Sequence, residues 1–106
     1  MRPSRIVAGA GLLVIGASLG YCHVRSTQLN TAFGKVVVGE SEPDVVGKMG
    51  RPHRIVEGCG YYYGRPIAGC AREYVYFPPF TIVDEAWLIA FDASGAVSHT
   101  AYFVSP

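Results

Sequence analysis

Hydrophobic and polar positions follow three regimes along this chain, and each predicts a different kind of element. From Ile6 to Val24 there is no alternation: the run holds no Asp, Glu, Lys or Arg, and Arg2, Arg5 and Arg25 bracket it. From Leu29 to Met49 apolar residues return at helical spacing. Leu29, Phe33 and Val36 or Val37 suit a first short helix capped by Ser26 or Thr27, weakened by Gly34 and the β-branched valines, and ended by Gly39. A second helix is more sharply marked. Ser41 serves as its N-cap, Pro43 falls in the first turn, and the charge of Asp44 suits a helix N-terminus. Val45, Val46 and Met49 form one apolar side, and Gly50 followed by Pro52 stops the helix, with Gly50 expected at positive φ.

Beyond Pro52 the period shortens to two. The segment "CGYYYGRPIAGC" carries the turn formers Gly64, Arg65 and Pro66 between a tyrosine run and the β-prone "REYVYF", which predicts a hairpin. A turn centred between Gly64 and Arg65 sets Cys59 opposite Cys70, Glu57 opposite Arg72 and Ile55 opposite Tyr74. All three pairs share one face, giving an ion pair and an apolar pair beside a bridgeable pair of cysteines. Alternation along the same strand puts Tyr62 on the face opposite Tyr61 and Tyr63. After the prolines of "FPPF", Trp87, Ile89 and Phe91 alternate with Leu88, Ala90 and Asp92, and Asp92 to Gly95 marks a turn before a last strand, Val97 to Val104. Four strands in two hairpins, with two short helices as the available cover for their apolar face, predict an α+β fold on an antiparallel sheet.

Composition changes the reading of the first segment. With 106 residues the chain has room for one small domain, yet half of it is hydrophobic and only 16% is charged. Much of that surplus lies in residues 1–25, read as a signal peptide or N-terminal membrane anchor preceding a domain at 26–106. Three fates fit this segment. Ser18, Leu19 and Gly20 place small residues correctly for cleavage before Tyr21; the 19 residues from Ile6 to Val24 are enough to span a bilayer; and Leu19 and Gly20 fit a lipidation signal at Cys22, with Tyr21 bulky where a small residue is usual. All three imply export, and the last two attach the chain to a membrane through this segment.

Charge and cysteines narrow the chemistry. Without residues 1–20, and so without Arg2 and Arg5, the 9 basic and 8 acidic residues become 7 and 8, a net charge of −1. That balance leaves no basic stripe and argues against nucleic acid as a partner. With Cys22 in the leader, Cys59 and Cys70 remain as a pair for an oxidising compartment. Opposed strand positions suit a disulfide, whose Cα separation is about 4.4–6.8 Å. Two free thiols and a metal site are the rival readings, but His53 and His99 lack zinc-site spacing and read as ordinary strand residues. Glu40, Glu42 and Asp44 read as helix-start charges, and Asp84 and Glu85 as loop neighbours pointing apart. No phosphate loop or hydrolase serine motif is present, so no catalytic residue, metal or cofactor is expected.

The order of these pieces resembles the BamE family, also called SmpA/OmlA. The matching residues are Gly39, Ser41, Val45 or Val46, Gly50 and Pro52, then "EYVYF" (Glu73 to Phe77), then "WLIAFDASGAV" (Trp87 to Val97). The resemblance implies two short helices on an antiparallel sheet. It also implies a periplasmic, lipid-anchored accessory of outer-membrane protein assembly that binds partner lipoproteins and performs no chemistry. The alternative on the same fold is a periplasmic binding or inhibitory domain acting on a secreted protein. Candidate partner-binding residues are Arg51 and Arg54 at the helix stop and Tyr61 and Tyr63 in the aromatic hairpin.

Overall fold

The computed structural model describes residues 3–79 and 83–105, and for residues 3–16 the backbone path alone. Two helices, α1 (Pro3–Phe33) and α2 (Glu42–Met49), precede four strands, β1 (Arg54–Glu57), β2 (Arg72–Tyr76), β3 (Asp84–Phe91) and β4 (Val97–Ser105). The strands form one antiparallel sheet in the order β1-β2-β3-β4, and both helices pack on one of its faces. The α+β architecture is the expected one.

The first helix differs from expectation at both ends. No break occurs at Ser26 or Thr27; the Thr27 hydroxyl donates to the His23 carbonyl at 2.9 Å, a bond made within a helix rather than at its cap. Without a proline after Pro3 to interrupt it, α1 continues for 31 residues, about 46 Å at 1.5 Å per residue. It stops at Phe33, before Gly34 rather than at Gly39, because the backbone tightens there into i→i−3 bonds, Lys35 N–H to Ala32 and Val36 N–H to Phe33. Gly39 instead docks the connecting turn to the sheet, its N–H donating to the Val97 carbonyl at 2.8 Å. Along the C-terminal half of α1, Cys22, Arg25, Ser26, Leu29, Ala32 and Phe33 are the less exposed positions, a helical stripe turned to the body. Among the described residues no helix is long and apolar enough to cross a membrane. The side chains of residues 1–16, which carry most of the apolar leader run, lie outside that set.

The second helix follows its punctuation. Ser41 Oγ accepts the Asp44 N–H at 3.3 Å, Val45 and Met49 are buried, and the Gly50 N–H closes the last turn on the Val46 carbonyl at 2.8 Å. Gly50 has φ 82° and ψ −173°, a region open essentially to glycine alone. Lys48 clamps the helix to its approach, reaching Glu40 at 2.7 Å and the Lys35 carbonyl at 2.8 Å.

On the helix-covered face Tyr74 and Tyr76 of β2 and Trp87, Ile89 and Phe91 of β3 meet Leu29, Val45, Met49 and Val97. The polar rings are tied to the helices. Trp87 Nε1 donates to Asn30 of α1 (3.3 Å), the Tyr74 hydroxyl to Glu42 in the first turn of α2 (2.8 Å), and the Tyr76 hydroxyl to the Gly50 carbonyl beyond its last turn (2.8 Å). Strands β1 and β2 pair in the expected register, with Ile55 opposite Tyr74 and Glu57 opposite Arg72. The expected ion pair across them is not made. Arg72 turns to Glu42 at 3.2 Å, because its side chain lies on the helix-covered face where that carboxylate takes both the guanidinium and the Tyr74 hydroxyl; Glu57 stays exposed. The apolar pair is lopsided, Tyr74 buried and Ile55 exposed on the edge strand.

Two outcomes follow for stability. Gly50→Val is expected to cost about 1–3 kcal/mol in urea unfolding, and since a Cβ there meets only the flexible end of Arg25, the loss is backbone strain rather than a clash. Burial, reinforced by the bond to Glu42, pushes the Tyr74 phenol up to about 12, and burial pushes Tyr76 up as well. The fold therefore holds the neutral phenols. Their contribution is complete below the ordinary tyrosine value of 10.0 and drains away as pH rises from there through about 12. Denaturant midpoints compared at about pH 9 and about pH 11 should fall, and Tyr74→Phe should show a smaller fall than wild type.

Candidate functional site

The other face of the sheet receives no helix. Its positions on β2 and β3 are Glu73, Val75, Ala86, Leu88 and Ala90, continued on β4 by His99, Ala101 and Phe103. Its cover is the segment between β1 and β2. The Cys59–Cys70 disulfide closes this segment, with a Cα separation of 5.9 Å. The hairpin ladder stops short of the bridge, however, at Glu57 and Arg72. Gly58, Cys59 and Gly60 have φ of 75°, 64° and 81°, and three successive left-handed residues turn the chain out of the sheet plane. Gly60 is needed there, since a Cβ would collide with the Arg65 carbonyl oxygen. The tyrosine run therefore forms turns rather than a strand, and its side chains do not alternate as expected.

Each tyrosine has a separate environment. Tyr62 lies flat on Phe103 of β4, ring centroids 3.8 Å apart, and Tyr61 packs edge-on against Tyr62 at 4.7 Å. Tyr61 also lies beneath the Arg54 guanidinium, 5.3 Å from its ring centre. Tyr63 is 74% exposed. Of the residues singled out for partner binding, Arg51 and Tyr63 are free surface, while Arg54 and Tyr61 are engaged with each other.

Between this strap and the sheet runs a groove of about 860 Å³. Tyr62, Ile67, Leu88, Ala101 and Phe103 give it an apolar lining, with Arg65 and His99 also along it. Glu73 lines it too and is 5% exposed, the one buried charged residue among those described. The Glu73 carboxylate accepts the Tyr61 N–H at 3.1 Å, which pins the strap to β2, and among the described residues no Lys or Arg pairs with it. Burial pushes the Tyr62 phenol up from its ordinary value, and the neighbouring Tyr61, Asp84 and Glu73 push it further.

The remaining candidates are placed elsewhere. Cys22 is a half-buried free thiol within α1. His53 precedes β1 rather than sitting in a strand; its Nδ1 accepts the Phe77 N–H at 3.0 Å, and burial, then Arg25, hold its imidazole below the usual range. Asp84 and Glu85 fall at the start of β3 rather than in a loop. Glu40 serves Lys48, and Glu42 serves Arg72 and Tyr74, so these two acids around the α2 start are engaged in holding the fold. Among the described residues no group of three or more His, Cys, Asp or Glu is placed to hold a metal ion. Strand alternation alone sets Glu73 opposite Tyr74; its burial comes from the strap, which no local pattern announces.

No family model, curated protein or solved structure matches this chain. The likeness to the BamE family accordingly rests on the residues quoted for it.

Breaking the bridge tests the site's construction. Reduction, or the pair Cys59→Ser and Cys70→Ser, is expected to lower stability by about 2–3 kcal/mol, the loop-closure entropy of a ring this size. It should also erase the nuclear Overhauser contacts between Tyr62 and Phe103, whereas contacts among Trp87, Leu29 and Met49 persist.

Proposed function

We propose that this chain is a non-enzymatic interaction module of the bacterial cell envelope, an accessory of outer-membrane protein assembly or envelope integrity of the kind the BamE-like resemblance implies. The observation that carries the binding role is the strapped groove. A covalently fastened loop holds aromatic rings over a sheet face and leaves between them a concave, mostly apolar space, the form in which binding sites recur. The disulfide suits an oxidising compartment, and the leader supplies export and attachment. Of the acids around the α2 start, Glu40 and Glu42 are held in ion pairs. One observation favours a second reading, a periplasmic inhibitor of a secreted protein: Tyr63 stands clear of the body at the tip of the strap, where an aromatic anchor serves an interface best.

A deletion strain separates the two. The assembly reading expects detergent sensitivity, lowered barrel-protein levels and crosslinks from Arg51 or Tyr63 to an envelope lipoprotein. Normal envelope behaviour overturns it, and a tight complex with a secreted enzyme that Tyr63→Ala dissolves establishes the inhibitor.

A further inference from the structure

A carboxylate held at a buried position is favoured when hydrogen bonds or a cation offset its lost hydration. Glu73 is 5% exposed, yet the described residues supply one backbone N–H and no cation. Arg54 lies over the Tyr61 ring and Arg72 reaches Glu42 on the opposite face, while Arg65, exposed along the groove, does not pair with Glu73. Around Glu73 the walls are the rings of Tyr62 and Phe103 and the aliphatic Leu88 and Ile67. An aromatic face attracts a cation, and aliphatic walls accept a methylene chain.

We propose that the groove binds a primary ammonium carried on an aliphatic chain, with Glu73 as its counter-charge and the Tyr62 and Phe103 pair as its apolar wall. The assignment rests on the binding-module reading and adds its ligand class. Two sources carry this chemistry, a lysine side chain and a free alkylamine, and the groove distinguishes them by whether it tolerates a peptide backbone at its mouth.

The test uses the full-length chain with its disulfide intact. Hexylammonium, hexanol and hexanoate are titrated by calorimetry, with amide shifts at Leu88 and Phe103 locating the site; blocked lysine (acetylated, methylamidated) is the second cationic probe. Hexylammonium, blocked lysine or both should bind at the groove, with hexanol and hexanoate roughly tenfold weaker or more. Tighter binding of blocked lysine assigns a protein-borne source, and tighter binding of hexylammonium a free amine. Glu73→Gln keeps an oxygen for the Tyr61 N–H and should leave the unfolding midpoint in place while lowering the affinity for the better-bound amine roughly tenfold. Hexanol binding as tightly as hexylammonium, an unchanged affinity in a folded Glu73→Gln chain, or no amine binding at all overturns the proposal. The comparison of hexanol with hexylammonium needs no variant and stands even where Glu73→Gln fails to fold. A wild-type chain that crosslinks to an envelope partner but takes no amine removes the ligand assignment alone. Amine binding with a normal envelope in the deletion strain removes the assembly role alone.

Discussion

Trp87, Tyr74 and Tyr76 are buried on the helix-covered face of the sheet, and each carries one polar donor into it. Leaving such a donor unpaired costs about 1–3 kcal/mol, so three of them weigh heavily against a total stability of about 5–15 kcal/mol. Apolar packing alone would let a helix slide along a greasy sheet with little penalty. The rings remove that freedom, because their acceptors are single atoms at defined places: Asn30 on α1, Glu42 at the start of α2 and the Gly50 carbonyl past its end. An 8-residue helix is too short to be stable by itself, and here it is held at both ends by hydroxyls from one strand.

The same strand connects this fixed face to the groove. Tyr74 and Glu73 are neighbours pointing opposite ways, so the bond that places Tyr74 against α2 also settles where Glu73 stands beneath the strap. The two faces are closed by different means. Helices close one with many weak contacts and directed hydrogen bonds. A short covalent ring closes the other, held down by the Tyr62–Phe103 stack, the Tyr61–Phe77 contact and a backbone bond to the Glu73 carboxylate. The first closure makes a core, while the second leaves room.

What could be read from the residues divides along this line. The α2 punctuation, the β1–β2 register with its cysteine pair and the alternation of Trp87, Ile89 and Phe91 are local signals, each set by neighbours a few positions away, and all are found in place. The start of α1 was not legible, because Ser26 and Thr27 suit a cap only where the chain before them is not already helical. Nor was the path of the tyrosine run. Period-two reasoning assumes an extended backbone, and the left-handed turn at Gly58, Cys59 and Gly60 breaks that assumption before the tyrosines begin. The groove is then a product of two segments folded over each other. Neither Glu73 in its strand nor Tyr62 in its turn signals it alone.

The unbroken course of α1 has a mechanical consequence. Leu29 is built into the core, Asn30 beside it accepts from Trp87, and Cys22 lies two turns before Leu29 on the same side of the same helix. Between Pro3 and Phe33 no break interrupts the helix, so it acts as a lever arm in place of a leash. Whatever grips the far end sets the aim of the groove as well as its distance. Tilting or rotating that end swings the strap through the same angle, and inserting a single residue above Leu29 would turn the far end by about 100° relative to the groove without touching either one.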